Sequence, residues 1–163
     1  MTVTVPTYRE RLRREGSVLA ACGALSAVLV LAFGDGAMHG PVSTIVQLVI
    51  VAALMATLGV FSVRRSLDRA VAIEPSNPGT GEPTPLWQLP LIVAGLTLAF
   101  GIAASWDAAL RIGGGCVVVG LAQAVLFERL VAAAERPGAK SFVRVAGSSL
   151  FTGTKLGVLS PRT

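Results

Sequence analysis

The run that decides the fold is "LWQLPLIVAGLTLAFGIAASWDAALRIGGGCVVVGLAQAVLFERLV", residues 86–131. Its 46 residues would rise about 69 Å as one helix at about 1.5 Å each. The hydrocarbon core of a bilayer is about 30 Å thick, so the chain has to turn back inside this run. Its midpoint falls at residue 108 or 109, between Asp107 and Arg111. The sequence therefore predicts two spans, about 86–105 and 110–131, joined at those charges. Trp106 stands beside them, and amphipathic aromatic rings favour the headgroup level. Asp107 suits the start of the later span, as its cap or beside the positive end of the helix dipole. At spacing i, i+4 it also meets Arg111 on one helical face, worth about 0.3–0.5 kcal/mol if exposed. The pair reads as a turn marker and surface anchor.

Two further apolar blocks precede this run, residues 17–33 and 42–63. Each is long enough for a span of roughly 17–25 residues. The whole chain of 163 residues is 53% hydrophobic and 14% charged, with a mean hydropathy of +0.70. An average soluble domain carries roughly 25% charged residues. The expected class is all-α: a polytopic membrane protein whose four transmembrane helices form two helical hairpins in one bundle. Pro41 before the second block and Pro90 in the first turn of the third lie where a missing N–H costs little. The tetrapeptide LAFG occurs at 31–34 and again at 98–101, a thin hint that the hairpins are repeats. Twelve arginines against two lysines, with much Ala, Gly and Val, suggest a GC-rich prokaryotic source.

Basic residues set the expected orientation. With four spans, both termini share a side with the middle segment, and that side holds thirteen of the fourteen Lys and Arg residues, all but Arg111. Cytoplasmic segments carry such an excess, so both termini are expected in the cytoplasm of a multi-pass plasma-membrane protein. "LAAC" at 19–22 resembles a lipobox, but most of the apolar block follows Cys22, so the first span is expected to stay uncleaved. Residues 1–16 form a basic segment with a short interfacial helix, started by a capping box of Thr7 and Glu10. Residues 64–85 read as a Pro/Gly-rich linker, and residues 132–163 as a solvated basic tail, with attraction to anionic lipid headgroups as the second reading.

Chemistry-bearing residues are scarce. No Asp, Glu, Lys, Arg or His falls clearly at mid-membrane, where ionisable groups mark proton relays and ion paths. The one histidine, His39, shares a Gly-rich turn with Asp35, and two ligands are too few for a closed metal site. No base stands near a nucleophile, so neither an enzyme nor a cofactor or metal centre is expected, and nothing points to nucleic acid. Counted from the ends of their spans, Cys22 and Cys116 fall at different depths, well over about 10 Å apart. A disulfide needs Cα atoms within about 7 Å, so none is expected, and both read as small packing residues.

Small residues carry the stronger pattern. Ala20, Gly23, Ala24 and Ala27 in the first span, and Gly113, Cys116, Gly120 and Ala124 in the fourth, recur at helical spacing and form a candidate helix-packing face. Such faces serve a partner, a second copy, or the packing of the two spans on each other. The expected function is a small accessory or scaffold subunit acting through helix packing, its partners the lipid bilayer and itself or a larger membrane protein. The alternative is a small transporter or channel formed by oligomerisation, for which Gln47, Thr57, Thr97 and Gln123 are the material.

Overall fold

The computed structural model describes residues 7–33, 41–72, 88–137, 140–144 and 156–159. Four helical rods carry it. They are α1 (Tyr8–Phe33), α2 (Pro41–Asp68), α3 (Gln88–Ala103) and a long rod from Trp106 to Glu135. The rod consists of α4 (Trp106–Leu121), a π-helical segment (Ala122–Phe127) and α5 (Glu128–Glu135). Three of the four are long and apolar enough to cross a membrane. The fourth, α3, is apolar but has 16 residues, about 24 Å of rise.

Local chemistry fixes where the helices begin. The Thr7 hydroxyl accepts from the Glu10 N–H at 3.3 Å, and Glu10 Oε2 accepts from the Thr7 N–H at 3.0 Å. That reciprocal pair satisfies two otherwise orphaned donors. Among the described residues 7–16 there is no separate interfacial helix, because α1 runs unbroken from this capping box to Phe33. Pro41 opens α2, where its missing N–H would have had no helical partner. The turn between α3 and α4 is Ala104–Ser105, tighter and earlier than a start at residue 110 implies. Both N–H groups of the turn donate to the carbonyl of Phe100. Ser105 caps α4, its Oγ accepting from Ala108 N at 3.1 Å. The Trp106 ring folds back over Gly101, which has no side chain to hold it off.

The rod is the hub. α1 lies antiparallel along α4, α3 packs against both, and α2 rests on the other flank of the rod. α1 and α2, consecutive in sequence, each pack on the rod and not along each other, so the two hairpins are not structurally equivalent. α2 touches the rod through Leu48 against Gly114 and through Gly59 against the Phe127 ring. On an unbroken α-helix, Phe127, seven residues after Gly120, would face α1. The extra residue of the π turn rotates it by about 100°, toward α2.

A small sheet closes one end of the bundle. Its strands are β1 (Val71–Ala72), β2 (Ser141–Arg144) and β3 (Leu156–Leu159), in the order β1-β3-β2. β1 runs parallel to β3, with Val71 opposite Gly157, and β2 antiparallel, with Phe142 opposite Val158. Under it lies the main core: Tyr8, Leu12, Val63, Phe127, Val131, Phe142 and Leu156. Two expected boundaries move as a result. α2 continues to Asp68, past the expected end at residue 63, and the chain beyond it pairs as β1. The segment 132–163, read as a solvated tail, extends the rod to Glu135 and then contributes two strands with buried Phe142, Val143 and Leu156.

Candidate functional site

The small residues of α1 and the rod come together as a seam. From α1 it takes Gly16, Ala20, Gly23, Ala27 and Val30, at steps of four, three, four and three. From the rod it takes Ala109, Gly113, Cys116, Gly120 and Ala124. Backbone lies nearly on backbone: a methyl group built on Gly23 would stand 2.6 Å from the Gly113 carbonyl oxygen and 2.7 Å from Cys116 Cβ. One built on Gly120 would stand 2.5 Å from Ala20 N and 2.6 Å from the Gly16 carbonyl oxygen. One on Gly16 would meet Ala124 N at 2.7 Å. At the far end Val30 packs with Ala109, which is fully buried. Glycine is required here because any Cβ would force the helices apart.

Two members of the seam differ from the sequence reading. Ala24 turns off it and is exposed. Gly16, assigned to the segment before the first span, is buried against Gly120 and Ala124. Its signal was the seven-residue step from Gly16 to Gly23 to Val30, visible once α1 is started at Tyr8.

The cysteines correct a second reading. Cys116 lies against Gly23, the neighbour of Cys22, so the two thiols share a depth. A fourth span that starts near residue 110 starts too late. α4 starts at Trp106, level with the last turn of α1, and both cysteines then lie about ten residues from that end. Both are free and half-buried.

Asp107 and Arg111 form the expected i, i+4 ion pair, with side chains 22% and 37% exposed. Asp107 sits in the first turn of α4, where the helix dipole favours it, while the cap itself is Ser105. The Arg111 Nε is buried without a hydrogen-bond partner.

The polar span residues do not converge. The Thr97 and Thr57 hydroxyls donate within their own helices, to the carbonyls of Val93 and Ala53, both at 2.8 Å. Gln123 borders an apolar cleft of about 290 Å³ between α2 and the rod, with Ala56, Gly59 and Phe127. Gln47 is exposed on the far side of α2. His39 and Asp35 lie outside the described residues. Among the described residues, no group of three or more His, Cys, Asp or Glu is placed to hold a metal ion.

No protein-family model, no curated protein and no solved structure matches the chain.

Proposed function

We propose that this chain is a non-catalytic membrane subunit that works by docking a partner transmembrane helix on α2. One observation carries the reading. The small-residue faces of α1 and α4 are spent on each other, whereas α2 is held along one side only. Its attached side carries Leu48, Ala52, Ala56, Gly59 and Val63. Its opposite side carries Gln47, Ile50, Leu54, Thr57 and Phe61 at steps of three, four, three and four, all exposed. That is the spacing of a seam between two supercoiled helices.

Lipid covers such a face without penalty where it is apolar, but an amide in hydrocarbon gains from a partner. Gln47 lies about 9 Å along the helix from Pro41, inside the apolar layer when Pro41 marks its edge. A facing helix that brings a polar side chain to Gln47 supplies that hydrogen bond, worth about 0.6 kcal/mol on average. The partner is a second copy or a larger membrane protein. The distribution of Arg and Lys supports placing the sheet-bearing end and both termini in the cytoplasm of the plasma membrane. The channel alternative has less support, because Thr57 and Thr97 are spent within their own helices.

The test is purification in mild detergent from native membranes. A particle larger than the monomer, by self-association or with a co-purifying membrane protein, is the expected result, and Gln47→Leu should weaken it. A strict monomer with nothing co-purifying overturns the reading.

A further inference from the structure

At the end of the bundle that bears the sheet, an open cavity of about 370 Å³ is lined by Arg9, Ala132, Glu135, Arg136, Lys140 and Ser141. Arg9, in the first turn of α1, is far in sequence from Arg136, the residue after α5, and Lys140, on the approach to β2. Ser141 opens β2, which pairs with β3.

The carboxylates near the cavity are already engaged. Glu135 Oε1 accepts the Phe142 N–H at 3.3 Å, which ties the start of β2 to the end of the rod. Glu128 pairs with the Nε of Arg9, leaving the terminal nitrogens of that guanidinium for a second acceptor. The lining thus offers three cations and a hydroxyl beside the carboxylate of Glu135, and with Glu128 on Arg9 the formal balance is 3 − 2 = +1. Guanidinium forks, an ammonium point charge and a hydroxyl donor suit a compact polyanion with several acceptor oxygens.

The depth of the cavity fits the same ligand. With Trp106 at one interface, the ~30 Å hydrocarbon core ends about twenty residues along the rod. Glu128 and Arg129, the first charges after Arg111, follow at that level. Arg136 lies about 45 Å from Trp106 along the axis, on the water side of a headgroup layer roughly 5–7 Å deep, while Arg9 pairs with Glu128 within that layer. A phosphate projecting from the bilayer surface and a phosphorylated solute both reach it there.

The geometry points to a binding site for a phosphomonoester in this cavity, carried on a lipid headgroup or on a small soluble compound. The site is separate from the α2 docking face and does not depend on it.

The experiment is native mass spectrometry of the full chain released from detergent, titrated with glycerol 3-phosphate or with dioleoyl phosphatidic acid, and with phosphatidylcholine, a zwitterionic phosphodiester, as the comparator. Arg136→Gln/Lys140→Gln removes two exposed cations of the cavity. Arg64→Gln/Arg65→Gln removes two exposed cations of α2, and circular dichroism checks the fold of both variants. Either phosphomonoester should bind the native chain, and the cavity variant should bind at least about tenfold more weakly. The α2 variant should stay within about twofold. Binding of phosphatidic acid alone assigns the site to a headgroup, and binding of glycerol 3-phosphate assigns it to a solute. Binding of neither, or an equal loss in both variants, overturns the proposal.

Discussion

Replacing Gly120 by alanine tests the seam directly. The added methyl would lie 2.5 Å from Ala20 N, 2.6 Å from the Gly16 carbonyl oxygen and 2.9 Å from Ala20 Cα. All three are backbone atoms, so no rotamer change relieves the contact. Ordinary contact begins near 3.4 Å, so α1 must retreat by 3.4 − 2.5 = 0.9 Å at this point. A gap of about 0.5–1 Å forfeits a quarter to a half of each dispersion well along the neighbouring seam, and overpacking of this kind costs about 1–3 kcal/mol. Alanine also favours the helix over glycine by about 1 kcal/mol, which would mask part of the loss. Gly115→Ala removes that ambiguity. It lies on the same helix, and nothing stands within 4 Å of the added methyl. The difference between the two variants is then the steric effect alone, about 1–3 kcal/mol in favour of Gly115→Ala. Unfolding in mixed micelles of increasing SDS fraction, followed by far-ultraviolet circular dichroism, measures it. Equal stability of the two variants would refute the close-packed seam.

Other consequences are as direct. Ser105→Ala removes the acceptor for Ala108 N and should cost about 1 kcal/mol in the same assay, while Ser105→Asn should restore most of it. Phe127→Ala empties the space between the rod and Gly59 and should cost about 3–5 kcal/mol; a loss below that of Ser105→Ala would mean that the π turn does not anchor α2. With Cys22 and Cys116 replaced by alanine, a cysteine at Ala104 should react with an impermeant thiol reagent applied from outside, and one at Asp68 only from the cytoplasmic side. Labelling of both from one side would contradict the proposed threading.

The helices were legible because length and hydropathy are properties of single segments. The turn was readable within a few residues, since a largely apolar run of 46 residues cannot cross once. Its position shifted to Ala104–Ser105 because a serine cap and a tryptophan stacked on Gly101 outrank the midpoint of the run. The seam was half legible. Spacing marked Gly23, Gly113 and Gly120, but which helices meet, and in what register, depends on both at once. That is why Gly16 went unnoticed and Cys22 and Cys116 were set at different depths. The sheet was not legible at all. Strands of two and four residues carry almost no periodicity, and β1 lies far along the chain from its partner β3. What commits Phe142 and Leu156 to the interior is a core that includes Tyr8 and Leu12, a contact no local pattern announces.

The α1–α4 seam also has a timetable. Its two halves belong to the first and the last of the four rods, so α1 is made long before the surface it fits. From Phe33 to Leu121 the ribosome adds 121 − 33 = 88 residues, about 4–18 s at about 5–20 residues per second. For that interval Gly16 and Gly23 face lipid or a chance neighbour, including the same glycines of another nascent copy. A seam that is inert in the finished bundle is therefore, during synthesis, an adhesive surface awaiting its partner, and a chain arrested before α4 would leave it permanently open.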